Sequence, residues 1–163
     1  MEPMASTVLA GVGATALMDL WSLVRRPLFG VPLPDYGQVG RWIGHMRHGR
    51  FRHQAISRAV AVRGEAAIGW SAHYLIGIVY AALLPLLWGT GWLREPTLGP
   101  ALAVGVGTVV APFLLMQPGM GAGFFASHMS RPAVARMHSI ATHAVFGSGL
   151  YLSGSALRAI AAW

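Results

Sequence analysis

Residues 18–26, MDLWSLVRR, set an aspartate inside a run that is otherwise apolar or small from Ala5 to Val24. Asp19 stands six residues before Arg25, roughly 9 Å along a helix. An ionisable group at such a depth is costly unless it faces protein or water, and it marks an ion, proton or ligand site. Three further polar side chains count inward to a similar depth. His73 lies eight residues past Glu65, His143 lies seven past Arg136, and Gln117 precedes a proline–glycine break. At helical rise Asp19, His73 and His143 fall roughly 9–12 Å inside one boundary. Small residues surround them: Thr15 and Ser22 near Asp19, Gly69 and Gly77 about His73, Ser139 and Gly147 about His143. Small residues one turn apart let helices approach closely, as in a bundle interior.

Several chemistries use such a set. Two imidazoles from separate spans suit a bis-histidine haem. The same rings of His73 and His143, with Asp19 and Gln117, offer nitrogen and oxygen ligands to Zn, Fe or Mn. Asp19 and Glu65 are candidate acid–base groups, and Gln117 a hydrogen-bonding orienter. His45 and His53 add ligands or a proton path if their segment folds over the mouth. Arg41 and Arg136 attract an anionic group there. The simpler reading of any single member is a hydrogen bond that fixes helix register. Other motifs carry less. HGRFRH (48–53) and HSIATH (138–143) place histidines five apart, about 140° around a helix, and no paired-histidine box accompanies them. GSGLYLSGS lacks a G-x-S-x-G elbow. Glycines 119, 121 and 123 follow no strand, which argues against a nucleotide loop. The chain has no cysteine, so disulfides and thiolate chemistry are excluded.

The elements that must position these groups are membrane spans. Of 163 residues, 55% are hydrophobic and 10% charged, and mean hydropathy is +0.54. Soluble domains carry about 25% charge. Stretches at about 5–24, 66–88, 98–120 and 137–157 match the roughly 20 residues that cross a bilayer core. The expected fold is all-α: one integral membrane domain over 1–163, a four-helix bundle plus a cytoplasmic interfacial amphipathic helix. The net charge is +7, from arginine without lysine. Ten of the twelve arginines lie between spans one and two or between three and four; only Arg94 and Arg158 lie opposite. That asymmetry places the basic loops in the cytoplasm and both termini outside. It speaks for membrane lipids as partners, at about 1 kcal/mol per arginine near the surface, and against nucleic acid. The N-terminus lacks a basic n-region and reads as a span, not a cleaved signal.

In the loop of residues 25–65, Pro27, Pro32 and Pro34 argue against helix. Asp35 then caps a helix, with Gln38 as its capping-box partner and Gly49 as the stop. Tyr36, Val39, Ile43 and Met46 form its apolar stripe, with Arg41, His45 and His48 turned elsewhere and Trp42 at headgroup level. A short turn follows in RHQAISRAV. Span three ends irregularly in APFLLMQPGMGAG, and span four begins with Ser130 as cap and Pro132 in its first turn.

MDLW (18–21), YGQVGRWIGH (36–45), GWSAHYLIG (69–77), QPGMGAG (117–123) and THAVFGSGLY (142–151) give the chain a likeness. Over most of its length it resembles a family of small bacterial four-span integral membrane proteins of unknown function. The resemblance implies four spans in a bacterial inner membrane and no assigned activity. The family's motifs coincide here with Asp19, Arg41, His45, His73, Gln117 and His143. The leading expectation is a buried His/Asp/Gln site near the cytoplasmic face that binds a metal, haem or other polar ligand, or acts on a lipid-soluble substrate. Alternatives are a proton-coupled or small-solute transporter and an accessory subunit of a larger complex, and homo-oligomerisation is open.

Overall fold

A computed structural model describes residues 2–161. Among them the chain is all-helical, without a strand. In order come α1 (Pro3–Phe29), α2 (Tyr36–Met46), a 3-10 turn (Ile56–Arg58), α3 (Glu65–Trp88), α4 (Gly91–Arg94) and α5 (Leu98–Gly107). A π-turn (Pro112–Met116), α6 (Gln117–Met120), a second 3-10 turn (Phe124–Ala126) and α7 (Pro132–Ala161) follow. Three stretches, Pro3–Phe29, Glu65–Trp88 and Leu98–Met120, are helices long and apolar enough to cross a membrane. The third is interrupted by the π-turn.

The prolines do not end α1 where expected. The helix continues through Pro27 to Phe29 and stops at Gly30, whose φ of 64° and ψ of 19° are left-handed and whose N–H reaches the Arg26 carbonyl. A proline removes one N–H and crowds one carbonyl a turn earlier. Near a helix end that loss is small, and the left-handed glycine sets the boundary.

The chain forms two compact units. One holds the residues through Leu33, Tyr74–Thr108 and those from Ile140 onward; the other holds Pro34–His73 and Val109–Ser139. The first has a core of Ala14, Ala81, Leu84, Trp92, Ala101, Val104, Phe146 and Leu150, drawn from α1, α3, α4, α5 and α7. Its helices meet at small residues. A Cβ on Gly11 would come within 2.7 Å of the Ile78 backbone, one on Gly149 within 2.9 Å of Ala14, and one on Gly105 would strike Gly147. Such close crossings maximise packing where lipid gives helices no hydrophobic incentive to associate. Large apolar side chains face outward: Leu9, Leu20 and Leu23 on α1, Leu75, Val79 and Leu86 on α3, Leu152 and Ile160 on α7.

The second unit is built around α2 and the first two turns of α3. Asp35 caps α2 as its sequence implies: its carboxylate accepts from the Gln38 N–H at 3.3 Å and from Gln38 Nε2 at 2.9 Å. The buried face differs from the expected apolar stripe, being Gly40, Gly44 and His45. A Cβ on Gly40 would fall on the Glu65 carbonyl, and one on Gly69 on the Tyr36 carbonyl. Backbone-to-backbone packing at these two glycines leaves Tyr36, Val39, Ile43 and Met46 half-buried.

Candidate functional site

In the first unit, α1 runs antiparallel to α7. Ala14 lies against Gly149, and Arg25 Nη1 donates to Thr142 Oγ1 at 3.3 Å. Asp19 sits midway between those contacts, so it shares a level with His143 to within about a helical turn. The two are engaged by different neighbours. Half-buried Asp19 accepts from the Tyr74 hydroxyl of α3 at 3.0 Å. His143 turns to α5, where its Nδ1 lies 3.0 Å from the Gly105 carbonyl and 3.2 Å from Thr108 Oγ1. Thr108 itself donates to that carbonyl at 2.8 Å. A carbonyl only accepts, so Nδ1 carries the ring proton and Nε2 keeps its lone pair. Histidines that ligate metals are held in this way, by a carbonyl behind the ring. The small polar residues about one turn from Asp19 and His143 in sequence are spent locally: Thr15, Ser22 and Ser139 each donate to the carbonyl four residues back.

In the second unit, His73 stacks on Tyr36, with ring centroids 4.1 Å apart, and its Nε2 lies 2.9 Å from the Tyr36 hydroxyl. Trp70 packs on the same tyrosine at 4.5 Å. Arg41 and Glu65 are brought together in a two-pronged ion pair, Nε to Oε2 at 2.8 Å and Nη2 to Oε1 at 2.6 Å. Arg41 Nη1 also reaches the carbonyls of Ile56, Ser57 and Ala59 at 3.2–3.3 Å. The Glu65 carboxylate beside it pushes the Arg41 guanidinium above its already high range. Arg41 thus ties the loop to the start of α3. Arg136 is likewise engaged, its Nε donating to the Phe125 carbonyl at 2.7 Å.

His45 and His53 also meet. His45 Nε2 donates to the Val60 carbonyl at 3.0 Å, which leaves Nδ1 to accept from His53 Nε2 at 2.7 Å. The far nitrogen of His53 faces the Gly119 carbonyl at 3.4 Å. The two rings thus form a hydrogen-bonded pair whose outer nitrogens both face backbone carbonyls. Gln117 opens α6 directly after the π-turn. Its Oε1 is buried and accepts no hydrogen bond among the described residues.

Among the described residues, no group of three or more His, Asp or Glu side chains gathers as a metal ion's ligands. Sequence reasoning passes over the partners Tyr74 and Thr108 and places Tyr36 only in the apolar stripe of α2. Each comes from a segment 35 to 55 positions away in the chain, and no local pattern announces it.

No curated protein and no solved structure matches the chain. A family model described as "Protein of unknown function (DUF2938)" covers residues 8–157, and the chain belongs to that family.

Proposed function

We propose that this is an integral protein of the bacterial inner membrane, with both termini outside, that binds a polar ligand near its cytoplasmic face. The arginine asymmetry supports that orientation. The observation that carries the ligand reading is Gln117. A buried acceptor without a partner costs about 1–3 kcal/mol, and π-turns recur at functional sites. Gln117 combines both, in the third apolar helix. A ligand N–H or O–H would satisfy it.

The test is native mass spectrometry of the detergent-purified protein beside Gln117→Leu. Leucine removes the orphaned acceptor, so the variant folds at least as stably. The wild type should retain a small polar molecule that the variant lacks. Wild-type protein without an adduct, or an adduct held equally by both, would overturn the reading.

A second reading rests on His143, whose Nε2 is left open by the Gly105 carbonyl. With no three-residue ligand group among the described residues, a metal held there would bring ligands of its own, as haem does. An absorption spectrum decides: a Soret band lost in His143→Ala supports it, and a colourless wild type refutes it.

A further inference from the structure

The second unit contains a cleft of about 520 Å³, lined by Arg52, His53, Gln54, Ser127, His128 and the loop Pro118–Phe124. Its walls are joined by the His53 N–H, which donates to the Gly119 carbonyl at 2.9 Å. Two left-handed glycines shape it. Gly121, at φ 101°, lets the His53–Gln54 backbone press against the loop; a Cβ there would strike the Gln54 carbonyl. Gly123, at φ 74°, lets Ser127 and His128 fold back over it; a Cβ there would come 2.9 Å from the His128 ring.

The residues lining the cleft include no acid. Arg52 makes no ion pair or hydrogen bond among the described residues and lies 6.0 Å over the Phe124 ring. His128 Nδ1 lies 3.3 Å from the Gly121 carbonyl, so Nδ1 holds the proton and Nε2 is left for another group. The acids flanking this stretch of chain are already committed: Asp35 to the α2 cap, Glu65 to Arg41. No acid occurs between them in sequence, whereas six arginines do.

Backbone strain points to the same place. Phe125 (φ 51°, ψ 40°) and Ala126 (φ 57°) are consecutive left-handed residues that are not glycine. In that region a side chain's Cβ crowds the following carbonyl, so both residues are strained. Arg136 on the Phe125 carbonyl and the Phe125 ring against Phe113, 5.3 Å away, hold the strain in place. Its visible consequence is the placement of Ser127 and His128 at the cleft. Strained residues held by their surroundings concentrate at ligand-binding sites.

We propose that this cleft binds a phosphate ester, with Arg52 gripping the oxyanion, Ser127 and Gln54 donating to its remaining oxygens, and His128 Nε2 accepting from the ester's P–OH. Arginine's planar fork matches phosphate oxygens, and charge-assisted bonds of this type are the strong ones. The site does not rest on the Gln117 reading. The ester arrives either as a soluble metabolite or as a lipid headgroup.

The experiment follows thermal unfolding of the full chain under two conditions. In detergent, glycerol 3-phosphate is titrated; in phosphatidylcholine vesicles, phosphatidic acid is added or withheld. Stabilisation by the soluble ester assigns a free ligand, and stabilisation by phosphatidic acid alone assigns a headgroup. In either case Arg52→Ala should weaken the apparent affinity about tenfold or more, which corresponds to ~1.4 kcal/mol. Arg52→Lys should lose less, and His128→Ala severalfold. Arg94→Ala, at the end of α4, should change nothing. These exposed positions leave the unliganded midpoint near wild type. No stabilisation by either probe, or stabilisation unchanged in Arg52→Ala, overturns the proposal.

Discussion

Arg41 shows how much one side chain can organise. Its fork spans the Glu65 carboxylate while the remaining nitrogen collects three carbonyls of the 56–59 loop. A lysine keeps the charge but presents a point donor that cannot serve both partners. Arg41→Lys should therefore lower the thermal midpoint by several degrees, and Arg41→Ala by more, in detergent-solubilised protein. The pH dependence follows from the direction of the shift. A base whose pKa is raised on folding contributes stability that is lost only as pH climbs through the raised value. For Arg41 that lies beyond any pH at which the protein would be handled, so the wild-type-to-lysine difference should stay constant across the neutral range. A difference that vanishes within that range would mean another group carries the tie. What was legible at this scale was local. Asp35 and Gln38 sit three apart, and their cap can be read directly from the sequence. The hydroxyls that engage Asp19, His73 and His143 cannot, because tertiary contact alone brings them near.

At the scale of elements, glycines decide which faces meet. The α2 sequence offers an apolar stripe that periodicity favours, yet the helix packs through Gly40 and Gly44. Periodicity reports which face can be dry; it does not report how near a backbone can come, and here nearness wins. Gly69→Ala would drive its methyl into the Tyr36 carbonyl. The expected cost is about 1–3 kcal/mol or more, the range for overpacking, with the separation of Tyr36 from His73 as the local readout. Gly99→Ala is the control. It lies in α5 with nothing within 4 Å of the new methyl, so the better helix former should stabilise by up to about 1 kcal/mol. Equal effects at both positions would refute the close-approach argument. The same limit explains the third apolar stretch. Its Pro112, Pro118 and glycines foretold irregularity, but not that the break would be a π-turn delivering Gln117 into a buried place.

For the molecule as a whole, the sharpest question is whether α7 crosses the membrane. Its 30 residues extend about 45 Å, ample for a core of roughly 30 Å. Yet among the described residues α7 is not one of the three helices apolar enough by composition. His138, His143, Ser148, Ser153, Ser155 and three nearby glycines dilute it, although Met137, Ile140, Leu152 and Ile160 are exposed and apolar as a lipid-facing surface requires. The polar residues that weaken the hydropathy signal are those a site or a close helix contact would need: His143 serves Gly105, and Gly147 and Gly149 admit neighbouring backbones. A span that lends its inner face to such contacts loses average hydropathy without losing its lipid-facing side, so α7 is expected to cross. A chain without cysteine makes the test clean. Single cysteines at Ser57, Thr90, Ser130 and Arg158, all exposed, can be probed in spheroplasts with a membrane-impermeant maleimide. Four spans and the arginine asymmetry together require Thr90→Cys and Arg158→Cys to react in intact spheroplasts, and Ser57→Cys and Ser130→Cys only after lysis. If Arg158→Cys is protected together with Ser130→Cys, α7 stays on one side and the chain crosses three times. The layer shared by Asp19 and His143 would then have to be rebuilt from a helix lying against the membrane, where His143 Nε2 would meet water instead of a ligand.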